Sequence, residues 1–166
     1  LFPSRRSSDL YRPRTLAELY GWRAYFRQRQ RSGDFDRTDA WIQMVACNRL
    51  TGHSNGFFSV YTLPPNQATS VVAQRRINAK RGQTPEYRDT KALILKKSRG
   101  LFRDPIPAAF RRSDARLICR SAEDTPALKS GSVSLVVTSP PFLDTVNYTQ
   151  DNWLRMWFCE VRLDPK

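Results

Sequence analysis

Five consecutive residues, Thr138, Ser139, Pro140, Pro141 and Phe142, offer this chain's clearest opportunity for chemistry. Two adjacent prolines fix the backbone and remove two N–H donors, leaving carbonyl acceptors held rigidly beside the Ser139 hydroxyl and the Phe142 ring. A small set of acceptors next to an aromatic plate suits a planar group that carries an amine. The amine donates to Ser139 Oγ and a proline carbonyl while its ring stacks on Phe142. Read alone, the proline pair is equally what an ordinary strand-ending turn contains. Other reactive side chains have less company. His53 is the sole histidine and sits in a glycine-bearing loop with no partner for a triad or a metal site. Cys47, Cys119 and Cys159 are odd in number and far apart, which gives no disulfide framework and no metal-ligand spacing. They read as three unlinked thiols in a reducing compartment, and no metal is expected.

The elements that must position the motif are read from apolar patterning. Residues 115–119, ARLIC, and 133–137, VSLVV, are short aliphatic runs of the kind found in strands buried on both faces. The residues between them, with a helical piece near 125–129 and a turn at Gly131, are long enough for a crossover between parallel strands. The expected architecture is therefore α/β, with a βαβ element that places Thr138–Phe142 off the carboxyl end of a strand, where open sheets hold ligands. A helix follows, with Leu154, Trp157, Phe158 and Val161 on its apolar face. Asn147, Asp151 and Arg155 share its polar face; Asn147 and Asp151 are candidates for orienting a substrate, or plain helix surface. Trp153 and Trp157 read as core.

The preceding residues are helical and basic. Leu16, Leu19, Trp22 and Phe26 predict a helix from Thr15 to about Arg31, with Arg23, Arg27 and Arg31 as a basic stripe. Trp41, Met44, Val45 and Cys47 predict a second helix ending near Leu50, and residues 51–65 read as a loop with a short extended piece. Asn66 is the expected cap of a third helix that carries Arg75, Arg76 and Lys80 and stops at Gly82. A fourth runs from about Tyr87 to Arg99. Residues 1–113 hold 22 Lys/Arg against 8 Asp/Glu, whereas residues 114–166 hold 6 against 7. Most of the formal charge of +13 thus lies in front, as in a part that faces a polyanion, with a solvated basic surface as the plainer alternative. Arg23, Arg27, Arg31, Arg75, Arg76 and Lys80 are the candidate phosphate contacts. With 40% hydrophobic and 11% aromatic residues the chain is too apolar for a disordered basic tail. No apolar run suits a membrane span or a signal peptide, so a cytoplasmic protein without a membrane partner is expected.

SLVVTSPPF followed by LDTVNYTQDNWLRMWF resembles the catalytic region of S-adenosylmethionine-dependent DNA amino-methyltransferases, which modify cytosine N4 or adenine N6. NRLTGHSNGFFSVYTLPPNQ and AQRRINAKRGQTPEYRD are similar to upstream segments of one bacterial branch, so the resemblance spans most of residues 11–166. It implies a Rossmann-like methyltransferase fold, S-adenosylmethionine as cofactor and DNA as partner, and leaves a restriction nuclease open as a further partner. Carried over, Ser139 and the Pro140 carbonyl bind the target amino group, Pro141 holds the loop shape and Phe142 stacks on a flipped base. Ser at position 139 is closer to the cytosine-N4 pattern than to the adenine-N6 one. Direct displacement by the amine needs no covalent intermediate and so no cysteine. A C5-cytosine enzyme needs a nucleophilic Cys, usually after Pro, whereas the three here follow Ala, Ile and Phe. Related enzymes acting on RNA or on protein glutamine, and a non-catalytic nucleic-acid-binding piece, are the alternatives.

The family's Phe-x-Gly-x-Gly cofactor loop has no counterpart, since no two of the seven glycines are separated by one residue. Asp124, in the context SAED, is a loose match to an acidic position near the cofactor adenine. The expectation is a truncated enzyme: residues 1–10, LFPSRRSSDL, resemble a translated sequencing adapter, 11–113 form the basic helical segment, and 114–166 begin the α/β catalytic domain. Residues 1–166 alone are then expected to be inactive. They should bind DNA weakly, in a salt-sensitive and nearly sequence-independent way, and should not bind S-adenosylmethionine. Titration calorimetry that found tight cofactor binding would overturn the truncation.

Overall fold

A computed structural model describes residues 8–62, 69–108, 115–116, 118, 120–139 and 151–161. The described residues form five α-helices: α1 Pro13–Ser32, α2 Arg37–Cys47, α3 Val71–Arg81, α4 Thr90–Leu101 and α5 Trp153–Cys159. The chain divides into two compact units, residues 1–103 with 147–166, and residues 104–146. All five helices belong to the first.

Local chemistry explains the helix ends. Pro13 opens α1, where its missing N–H costs nothing, and Gly33 closes it with φ 78°. At the start of α2, Asp36 and Asp39 form a reciprocal capping box. Ser70 caps α3 through the Ala73 N–H, and Gly82 ends it at φ 58°. Asp89 caps α4 through the Ala92 N–H. The expected stop at Gly82 is thus present, whereas the cap is Ser70 in place of the expected Asn66, which lies outside the described residues.

Helix α1 is the spine, with α4 and α5 packed on it and α2 packed on both of those. Leu19, Phe26, Val45, Ile94, Leu154 and Phe158 meet in one apolar core that also takes in Leu10 and Tyr11. Trp41 joins α2 to α4, stacking on Phe102 at 4.4 Å and donating to Ser98 Oγ at 3.0 Å. Helix α3 is held by amides instead. Buried Gln74 donates to the Tyr61 carbonyl at 3.0 Å, and Asn78 donates to the Asp9 carbonyl at 2.8 Å.

The expected α/β architecture is not what the chain adopts. Among the described residues there is no sheet, and β pairing is confined to an isolated bridge between Gly52 and Tyr61. Residues 133–137, expected as a buried strand, have no regular structure, and Leu135, Val136 and Val137 are 78%, 76% and 87% exposed. In the other expected strand, residues 115, 116 and 118 are also irregular and exposed. The expected crossover helix is a pair of turns, Thr125 to Leu128 and Lys129 to Ser132, with Gly131 at φ 71°. The physical reason is pairing. Aliphatic composition suits a strand, but its backbone donors and acceptors need a neighbouring strand, and among the described residues none lies alongside. The four residues between Pro126 and Gly131 are likewise too few to nucleate a helix.

The loop from Thr51 to Thr62 closes one side of the core. Phe57 packs over Gly52 so closely that a Cβ at position 52 would sit against the ring atoms, and Arg49 lies 4.2 Å over the same ring. Tyr11 donates to the Leu50 carbonyl at 2.7 Å, and Val60 N–H donates to the Leu10 carbonyl at 3.0 Å. Substituting Gly52→Ala therefore displaces a buried aromatic ring and is expected to cost about 1–3 kcal/mol. Urea unfolding checks this; a midpoint equal to that of the unsubstituted chain would contradict the packing.

Candidate functional site

Ser139 ends the irregular, exposed run of the second unit, so its hydroxyl is open to solvent. Pro140, Pro141, Phe142 and Asn147 lie outside the described residues. Asp151 is half-buried at the approach to α5. Asp124 is exposed and forms an ion pair with Arg120 at 3.6 Å. An adenosine site needs walls around such a carboxylate, and a methionine site needs a close backbone approach. Asp124 faces solvent and a cation, and Gly131, the glycine of this unit, has nothing within 4 Å of a built Cβ. The described residues do not fit S-adenosylmethionine.

The six candidate phosphate contacts separate into two groups. Arg23 and Arg27 turn to α5, where Glu160 Oε1 lies 3.0 Å from Arg23 Nη2 and 3.3 Å from Arg27 Nε. Arg23 Nε also donates to the Trp157 carbonyl at 2.8 Å. Arg75 pairs with Asp9 at 3.1 Å while remaining largely exposed. Arg31, Arg76 and Lys80 are exposed, with no acidic partner among the described residues. At about 100° per residue, Arg75, Arg76 and Lys80 fall within roughly 140° of α3, opposite the amides that dock it. Arg81, at the end of the same helix, lies 3.8 Å over the Tyr61 ring. Exposed Lys91, Lys96 and Arg99 add charge along α4. The free cations thus concentrate on α3 and α4, whereas two members of the α1 stripe are committed to holding α5.

Sequence reasoning missed a cleft of about 460 Å³ beside α1 and α4, walled by Glu18, Trp22, Tyr25, Tyr87 and Asp89. Its walls are mainly aromatic, with two carboxylates, Glu18 and Asp89, and one cation, Lys91, on the lining. Glu18 is fully engaged there: Oε1 accepts from the Tyr87 hydroxyl at 2.7 Å, and Oε2 accepts from the Thr90 N–H and hydroxyl at 3.0 and 2.8 Å. Trp22 Nε1 completes the group by donating to Thr90 Oγ1 at 3.0 Å. Desolvation pushes the Glu18 carboxyl up, but these donors outweigh it and hold the group below its ordinary range. The one available signal was that Glu18 is the sole acid within α1. Among the described residues there is no group of three or more His, Cys, Asp or Glu that could hold a metal ion. No helix among them is long and apolar enough to cross a membrane.

No protein-family model, curated protein or solved structure matches this chain.

Asp39 is the second engaged carboxylate. It is 2% exposed, and its oxygens accept from the Tyr25 hydroxyl at 2.8 Å, Arg29 Nε at 2.9 Å and the Asp36 N–H at 3.1 Å. Desolvation raises its pKa, but the Tyr25 and Arg29 bonds outweigh that and keep it low. Both carboxylates therefore bind protons more weakly folded than unfolded. Their contribution is complete above the unfolded carboxylate pKa of about 4 and is lost as pH falls through the lower folded value. Melting temperature is expected to drop as pH is lowered below about 4, with a shallower drop in Asp39→Asn. Equal pH slopes in the two proteins would show that Asp39 is not one of the groups responsible.

Proposed function

We propose that this chain serves in S-adenosylmethionine-dependent methylation of an exocyclic amino group in DNA, with cytosine N4 as the target. One observation carries the reading: Thr138–Phe142, with its resemblance to the amino-methyltransferase motif and to the sequence that follows it. The helical fold of the described residues adds nothing to it, and no step is routed through a cofactor these residues do not fit. What this chain's own groups do is narrower. The exposed Ser139 hydroxyl accepts a hydrogen from the target amine. Arg31, Arg76 and Lys80, exposed and without an acidic partner among the described residues, meet phosphates and fix the chain on the duplex without reading sequence.

Binding of nucleic acid without catalysis is the second reading, favoured by the free cations of α3 and α4. The two separate by experiment. Nucleoside mass spectrometry of DNA from cells expressing the gene that encodes this sequence is expected to reveal N4-methylcytosine. Ser139→Ala should lower its amount by roughly tenfold, the effect of one lost hydrogen bond to the reacting group. Unchanged methylation in that variant would refute the role of Ser139, and methyl groups found only on RNA or on protein glutamine would redirect the substrate. For DNA binding, Arg76→Glu and Lys80→Glu should each reduce the slope of log affinity against log salt by about one. Arg23→Ala is expected to act chiefly on stability, by releasing Glu160.

A further inference from the structure

Cys47 is the last residue of α2 and Cys159 the last of α5. They lie far apart in sequence, yet α2 and α5 pack together, and both half-buried cysteines lie against the common core. The packing of the two helix ends makes the thiols neighbours, each acting on the other's titration. Nothing in the proposed methyl transfer uses either residue. Both are free thiols, and each is partly open to solvent.

From this juxtaposition we infer that Cys47 and Cys159 form an oxidant-sensitive thiol pair, in which a hydroperoxide converts the two thiols into a disulfide joining α2 to α5.

The effect of each thiol on the other sets the division of labour within the pair. The neighbouring Cys159 thiol pulls Cys47 below the ordinary thiol range, while Cys159 itself is pushed above it. The guanidinium of Arg155, one turn before Cys159 on α5, favours the thiolate of each. Burial opposes it, and so do the negative ends of the two helices that the cysteines terminate. Cys47 is therefore the attacking thiolate and Cys159 the resolving thiol.

The chemistry closes in two steps. The Cys47 thiolate attacks the distal oxygen of the hydroperoxide, the O–O bond breaks, and an alcohol or water leaves with a proton from solvent; Cys47 becomes a sulfenic acid. The Cys159 sulfur then attacks the Cys47 sulfur, the S–O bond breaks, and the hydroxyl leaves as water with the Cys159 proton. Two thiols lose two electrons to one hydroperoxide, and a thiol reductant reverses the product.

The test uses the full 166-residue chain, reduced and then exposed to hydrogen peroxide. Digestion without reductant followed by mass spectrometry should yield a peptide pair joined through Cys47 and Cys159, lighter by two hydrogens and released by dithiothreitol. In Cys159→Ser and Cys159→Ala, a sulfenic acid on Cys47 should accumulate, trapped by dimedone at about tenfold the level in the unsubstituted chain. Oxidation should also slow trypsin cleavage after Arg155 severalfold, because the linkage holds α5 against α2. The inference fails if Cys47 and Cys159 both remain alkylatable after peroxide treatment. It fails equally if dimedone labels Cys119 ahead of Cys47, or if the disulfides formed join separate chains. None of these readouts depends on methyl transfer.

Discussion

Phe26 has aromatic rings on several sides, and most of the first unit is arranged around that fact. It is 1% exposed, stacks with Trp22 at 5.9 Å and meets Tyr25, Phe35 and Phe158 edge-on at 5.5, 6.4 and 6.0 Å. Burying one such ring stabilises the fold by about 2–3 kcal/mol, and the ring contacts add to this. The cluster draws together α1, the turn into α2, and α5. Once Phe158 is seated against Phe26, the polar side of α5 falls where Arg23 and Arg27 reach its end.

That end is unusual. Glu160 terminates α5 at φ 55°, in the left-handed region where the other two helices that close in this way, α1 and α3, use Gly33 and Gly82. In all three, the two residues after the helix donate back to its last turn. A non-glycine residue there costs roughly 1–2 kcal/mol. The two arginines beside its carboxylate supply a reason for a charged residue at that place. The pair geometry is electrostatic, since Glu160 Oε1 is buried without a directed hydrogen bond. Part of the basic stripe on α1 is thus internal to the fold, and the surface available to a polyanion moves to α3 and α4.

Helices were legible in the sequence wherever apolar spacing and end chemistry agreed, as in the run from Leu16 to Phe26 closed by Gly33, and in the stop at Gly82. The helix carrying Leu154 and Phe158 was legible from apolar spacing alone, and Val161, expected on its apolar face, lies past its end and is 52% exposed. The strands were not, because Val133 to Val137 satisfy the composition of a buried strand without containing its partner, and pairing is a non-local property. The same limit applied to the site. Ser139 could be singled out from its neighbours in sequence, whereas the engagement of Arg23 and Arg27 by Glu160, the closure of Glu18 by Thr90 and Tyr87, and the meeting of Cys47 with Cys159 all depend on the path of the chain.

The exposed run from Ser132 to Ser139 contains no charge, no proline and no glycine, and four of its eight residues are Val or Leu. In solution such a segment is the natural template for its own copy in another molecule, since stacking identical strands satisfies the backbone groups left open here. Lys129 on one side and the proline pair on the other are the nearest residues able to interrupt that stacking. These eight residues favour association between copies of the chain, and its high net charge works against it.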